Sequence, residues 1–174
     1  MQSSPRKMQW MLLVSALALG AWAAHAGAAV KSVSKQDKTW LVKAHQANLA
    51  EINAGMMAKR DGHSKEVRLA GDTLITDHTM LDGSMKPAAY DLGVRLPDAP
   101  SARQQAKAKK LEGKKGMAFD NAWTQAMIKA HKKAIALTKN EIGHGSSPRV
   151  KQLAKTTLPV LEKHLEMLKG IKKG

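Results

Sequence analysis

The stretch that decides the fold is residues 119–142, FDNAWTQAMIKAHKKAIALTKNEI. It contains neither proline nor glycine, and its apolar residues recur every three to four positions, which is the period of an amphipathic helix. A helix of about 24 residues is about 36 Å long, and only neighbouring helices can cover so long an apolar face. The stretch therefore predicts a helical bundle, with His131 inside the apolar face of this helix.

Three other segments repeat apolar residues with the same period, at residues 37–59, 65–90 and 148–169. Each begins at a residue that favours a helix N-terminus: Asp37, Ser64, and Ser147 followed by Pro148. Four long helices predict a bundle, and we expect residues 37–170 to form its single domain.

The connection between the second and third long helices is roughly two dozen residues, enough to run the length of a bundle. It contains a short basic helix that begins after Ser101 and ends near Leu111. The predicted fold is therefore an all-α four-helix bundle with a short additional crossover helix. Pro87 and Pro159 fall inside long helices and are expected to loosen or bend them.

The N-terminus is typical of an export signal. Arg6 and Lys7 precede an apolar run at residues 10–24, and Ala24-His25-Ala26 offers small residues where a signal peptidase cleaves. An apolar run of about 15 residues is short for a membrane span, which needs roughly 20. We expect cleavage after Ala26, a flexible leader at residues 27–36, a periplasmic or otherwise exported protein, and no transmembrane span after cleavage. The alternative is a retained membrane anchor.

The composition restricts the function. Cysteine is absent, which excludes disulfides, zinc–thiolate sites and thiol nucleophiles. Lys and Arg number 29 against 14 Asp and Glu. Without Arg6 and Lys7 the mature chain carries 27 basic residues against the same 14, a net charge of +13. We expect no nucleic-acid partner, because no recognition motif is present and export separates the protein from the chromosome. The basic surface either only solubilises the protein or contacts anionic envelope surfaces.

Three histidines, His78, His131 and His164, have apolar neighbours one helical turn away on both sides, which predicts that they point inward. Glu51 lies beside the apolar stripe of the first helix, and His45 lies about 120° around that helix from Glu51. Imidazoles and a carboxylate that meet in a bundle core can form a divalent-metal site. The alternative is a purely structural layer of buried, neutral histidines.

Several motifs resemble one family of exported bacterial proteins, which is catalogued as domain of unknown function 4142. They are NLAEI at residues 48–52, DHT at 77–79, FDNA at 119–122, Met127-x-x-x-His131, TLP at 157–159 and HL at 164–165. The resemblance covers about residues 37–168. It implies a ferritin-like bundle in the periplasm or envelope, and it implies no established activity.

The sequence departs from the pattern of carboxylate-bridged di-iron proteins, which need two Glu-x-x-His pairs on facing helices. The one such pair, Glu141 to His144, lies at a glycine-flanked helix end, where helix capping is the better interpretation. A single histidine-rich site with Glu51 as an oxygen ligand stays open, and Asp77 and Asp120 are candidates to orient its histidines. No phosphate loop, nucleophile elbow or HExxH motif is present, so we expect a non-enzymatic protein.

Overall fold

The structure is a computed structural model that describes residues 33–173. These residues form five helices and no strand: α1 (Lys35–Asp61), α2 (Lys65–Asp91), α3 (Ala102–Lys109), α4 (Gly116–His144) and α5 (Pro148–Lys173). The predicted all-α bundle of four long helices with a short crossover helix is confirmed. The predicted signal peptide and residues 27–32 of the predicted leader lie outside the described residues.

The helix ends follow the predicted caps with one correction at α1. Ser34, not Asp37, is the N-cap of α1. Asp37 is the third residue of the helix, and the two residues form a capping box. The Ser34 hydroxyl accepts the Asp37 N–H, and the Asp37 carboxylate accepts the Ser34 N–H. The helix therefore begins inside the predicted leader. Ser64 caps α2 as predicted, and the Ser147 hydroxyl accepts the Val150 N–H at the start of α5.

The two internal prolines, Pro87 and Pro159, do not end their helices, and α2 and α5 continue past them. Each proline lacks an N–H and so removes one backbone hydrogen bond from its helix. Among the described residues, no helix combines the length and the apolar character that crossing a membrane requires.

The helices pack in the cyclic order α1, α2, α5, α4, so that α2 and α4 are not neighbours. The connection between them crosses the bundle and contributes α3, which packs on α1. At one end of the bundle the Asp120 carboxylate of α4 accepts the backbone N–H groups of His63 and Ser64 at the start of α2. At the other end Asp37 of α1 accepts those of Ser146 and Ser147. Helices α2 and α4 therefore run in the same direction.

The core consists of two apolar clusters with a polar layer between them. One cluster contains Phe119 and Trp123 and lies towards the C-terminus of α1; the other contains Trp40 and Met85 and lies towards its N-terminus. The buried polar side chains between them include the three inward histidines that the sequence predicts. This layer is the centre of the bundle.

Candidate metal centre

Three imidazole rings from three helices meet in the polar layer. His78 comes from α2, His131 from α4 and His164 from α5, and all three side chains are buried. The ring centroids are 5.3–5.7 Å apart. One ring nitrogen from each histidine lies within 4.8 Å of the other two, so the three can serve as ligands to one ion.

Each ring turns its other nitrogen to an acceptor outside the cluster. His131 Nδ1 lies 3.0 Å from the Met127 carbonyl oxygen, and His164 Nε2 lies 2.8 Å from Asp77 Oδ2. His78 Nδ1 lies 3.0 Å from Asn48 Oδ1, and the Asn48 amide N–H donates to Met85 Sδ, which fixes the orientation of the amide. Because an acceptor requires an N–H, the inward nitrogens of the neutral rings carry lone pairs.

Glu51 lies next to the cluster on α1, the one long helix that contributes none of the three histidines. Its Oε2 atom lies 3.0 Å from His78 Nε2 and 3.2 Å from His131 Nε2. These are ordinary hydrogen-bond distances, yet Glu51 Oε2 and His78 Nε2 have no hydrogen-bond partner, so the ring nitrogens are not directed at the oxygen. The Glu51 carboxylate oxygen therefore lies beside both ring nitrogens without a hydrogen bond to either.

Three of the distances among these atoms match the ligand spacing of a tetrahedral metal site. Bonds of 2.0–2.1 Å place neighbouring ligand atoms about 3.3 Å apart. The two Glu51 contacts and the 3.3 Å separation of His131 Nε2 and His164 Nδ1 agree with that spacing.

At both Glu51 and His164, burial and the neighbouring side chains shift the pKa in opposite directions. Burial would raise the pKa of Glu51, but the nearby His131 and His78 side chains lower that pKa to about 2. Burial lowers the pKa of His164 below its usual range, against the opposing effect of Asp77. The cluster therefore keeps an ionised carboxylate in the core and at least one imidazole that resists protonation.

Of the two aspartates predicted to orient histidines, Asp77 contacts His164 and Asp120 contacts no histidine ring of the cluster. Asp120 lies eleven residues before His131 on α4, about 16 Å along the helix. Its carboxylate accepts hydrogen bonds from the N-terminus of α2, and these lower its pKa against the effect of burial. Asp120 is therefore corrected from a residue of the metal centre to a link between α4 and α2.

His45 forms a separate polar contact outside the three-histidine cluster. Its Nδ1 lies 2.5 Å from Asp82 Oδ1, and its Nε2 lies 2.7 Å from the Pro97 carbonyl oxygen in the crossover connection. Both His45 and Glu51 are buried, but His45 faces α2 and the crossover while Glu51 faces the bundle centre. The Glu141 carboxylate is also buried at the far end of α4, and His144 is exposed, so the two form no metal site.

Sequence reasoning missed two partners of the cluster. Asn48 begins the NLAEI motif, but its contact with His78 on another helix depends on packing. The Met127 carbonyl leaves no side-chain signal at all. Asp82, the partner of His45, lies four residues after His78 on the same face of α2, which is the one signal that pointed to it.

The fold and the site define a class: an all-α four-helix bundle with a buried three-histidine cluster at its centre. The family model for the domain of unknown function DUF4142 matches residues 23–171, and the chain belongs to this family. The structure is similar to the crystal structure of a DUF305 fragment from Deinococcus radiodurans, with a TM-score of 0.71 and 14% identity over 80% of this chain and 97% of that chain. That similarity concerns the fold alone. No curated protein matches this chain.

Proposed function

We propose that this protein is a non-enzymatic, exported metal-binding bundle, and that His78, His131, His164 and Glu51 hold one divalent ion. The observation that carries the proposal is the buried cluster of three imidazole nitrogens, two of which lie beside the buried Glu51 carboxylate. In neutral rings the inward nitrogens of His131 and His164 present lone pairs to each other at 3.3 Å, and His131 Nε2 also lies 3.2 Å from the Glu51 carboxylate. Such an arrangement is unfavourable unless a cation or a proton lies between them.

The ligand set favours a transition metal over magnesium or calcium. Imidazole suits Zn²⁺, Cu²⁺, Fe²⁺ and Ni²⁺, whereas magnesium and calcium prefer oxygen ligands. Asn48, Asp77 and the Met127 carbonyl supply the outer hydrogen bonds that commonly orient ligating histidines. The single carboxylate at the centre does not match the paired Glu-x-x-His sets of di-iron oxidases, which supports a binding role.

The test is thermal unfolding of the chelator-stripped mature chain at neutral pH, with and without Zn²⁺, Cu²⁺, Fe²⁺ or Mn²⁺. A metal held at about 100 times its dissociation constant stabilises the folded state by roughly 2.7 kcal/mol. We expect at least one metal to raise the melting temperature of the wild type, and the variant His131→Ala to lose most of that increase.

The matched control is His45→Ala, which removes a buried histidine outside the cluster. This variant loses stability without metal, but its metal-dependent increase should equal that of the wild type. A wild type that no metal stabilises, or equal increases in wild type and His131→Ala, would contradict the proposed site.

The alternative proposal is an envelope interaction protein whose histidine layer is purely structural and whose basic surface contacts anionic partners. The excess of basic residues supports it, because 29 Lys and Arg cannot all pair with 14 Asp and Glu. Binding to vesicles that contain anionic lipid should then weaken steeply with salt, since exposed charges are screened within about 8 Å at physiological ionic strength. Equal binding to neutral vesicles would contradict this proposal.

A further inference from the structure

A cavity of about 40 Å³ lies against the candidate metal centre. Glu51 and His78 line its inner end, and small side chains including Ala47, Ala134 and Thr157 line its walls. One water molecule needs about 10–15 Å³ of such a cavity, so this one holds about three or four waters or one small molecule. Its lining includes both a candidate carboxylate ligand and a candidate imidazole ligand.

The cavity adjoins a groove of about 390 Å³ on the surface between α1 and α4. Trp40, Lys43 and Leu137 line both spaces, so they form the boundary between the groove and the cavity. The Trp40 indole N–H donates to Thr138 Oγ1 at 3.3 Å, which holds the ring at this boundary. A small molecule in the groove is therefore separated from the metal centre by side chains alone.

We propose that the cavity delivers a small anion of two or three atoms to an open coordination position on the metal, next to Glu51 and His78. This inference rests on the proposed metal site and names the ligand that this site accepts from outside the protein. With the three histidines as its ligands, a tetrahedral ion keeps a fourth position beside Glu51, and sites with three protein ligands can expand to five-coordinate geometry. The cavity supplies the space for the fifth ligand on one side of the cluster.

The charges around the route favour an anion over a cation. Lys35 and Lys43 line the groove, and Lys43 also lines the cavity. Glu141, the acidic residue of the groove, has its pKa raised to about 7 by burial and by Asp37, so much of it is uncharged at neutral pH. A bound divalent ion adds positive charge at the inner end of the route. The size of the cavity limits the guest to a few atoms.

The experiment uses Co²⁺ as the metal probe and azide as the anion probe on the mature protein. The visible spectrum of bound Co²⁺ reports its coordination number, so titration with Co²⁺ first tests the metal site itself. Azide is then added to the loaded protein. We expect azide to change the Co²⁺ spectrum of the wild type in a saturable way.

Ala47→Leu fills the cavity from α1, and Ala134→Leu fills it from α4. Neither residue is among the proposed ligands, so both variants should bind one Co²⁺ and lose the azide response. The matched control is Ala50→Leu, which makes the same change on α1 at a residue that does not line the cavity. It should keep both the Co²⁺ spectrum and the azide response. Two filling variants from opposite walls keep the test valid if one of them fails to fold.

Three results would overturn the inference, and they differ in what they leave standing. If the wild type binds Co²⁺ without responding to azide, the metal site stands and the open position does not. If azide acts equally on the wild type and on the filled variants, the anion reaches the ion by another route and the cavity has no part in it. If the wild type binds no Co²⁺, the proposed metal site fails together with the inference.

Discussion

Asp77 lies outside the three-histidine cluster but contacts one of its rings, that of His164. Its carboxylate lies 2.8 Å from His164 Nε2 and is itself partly exposed to solvent. By accepting the ring N–H it leaves His164 Nδ1 free to face the centre of the cluster. The orientation of an imidazole at this site thus depends on a residue that need not contact the ion.

We expect Asp77→Ala to weaken metal binding by about 10–100-fold, because the loss of such an acceptor leaves the ligating ring free to turn. Competition with a chromophoric chelator measures the affinity. Asp77→Asn keeps an acceptor oxygen without the charge and should lie between the wild type and Asp77→Ala. The control is Asp72→Ala, which removes another aspartate of α2, half-exposed and paired with Lys59 of α1, and this variant should bind metal normally. Unchanged affinity in Asp77→Ala would show that Asp77 does not orient a ligand.

At the scale of elements, the pair α1 and α2 depends on two glycines. A Cβ atom on Gly71 would lie 2.7 Å from the Gly55 carbonyl oxygen, and one on Gly55 would lie 2.7 Å from the Gly71 carbonyl oxygen. The two backbones therefore touch at this crossing, one turn from Glu51. The close approach sets the distance between the helices that carry Glu51 and His78.

We expect Gly71→Ala to destabilise the protein by about 1–3 kcal/mol, because the new methyl group forces the helices apart. Gly83→Ala on the same helix is the matched control, since a Cβ there meets nothing within 4 Å. That variant should instead gain about 0.5–1 kcal/mol from the helix preference of alanine. Urea unfolding measures both free energies. Equal effects of the two substitutions would mean that the crossing is not close in solution.

At the scale of the whole molecule, the ends of α1, α4 and α5 meet at two buried carboxyl groups. Asp37 accepts hydrogen bonds from Ser34, Ser146 and Ser147, which lower its pKa against the effect of burial. Glu141 has no donor for either carboxylate oxygen, and burial together with the hydrogen bond and charge of Asp37 raises its pKa to about 7. A protonated Glu141 can donate to Asp37, whereas an ionised one repels it.

The consequence is a loss of stability on the alkaline side. The pKa of Glu141 rises from 4.5 to about 7 on folding, so the folded state binds more protons than the unfolded state between these values. Its contribution is fully present below about pH 4.5 and is lost as the pH rises through 7. We expect Glu141→Gln, whose amide donates to Asp37 without titrating, to be more stable than the wild type at pH 8, with the difference shrinking towards pH 5.

Urea unfolding at a series of pH values measures this difference on the chelator-stripped protein. Glu162→Gln, which replaces an exposed glutamate paired with Lys139, is the control and should follow the pH dependence of the wild type. A constant difference between Glu141→Gln and the wild type from pH 5 to 8 would show that Glu141 does not titrate in this range.

The bundle could be predicted from the sequence because its causes are local. Four segments, including residues 119–142, repeat apolar residues with the helical period, and residues that favour a helix N-terminus precede several helices. The long connection between the second and third long helices indicates a crossover. The same period predicts that His78, His131 and His164 point to the core, and all three are buried there. The spacing of residues along a helix determines the direction in which each side chain points around the helix axis. The sequence of a single segment is therefore enough to predict this direction.

Only the tertiary structure decided which inward side chains meet. Glu51 joins the histidines, while His45, on the same helix, pairs with Asp82, and Asp120 links helix ends instead of orienting a ring. These outcomes depend on the height of each residue along the bundle and on the neighbour each helix faces, which packing sets. The cavity beside Glu51 has the same origin, because it is space left between side chains of different helices. No single segment contains that information, since the distances join residues far apart in the chain.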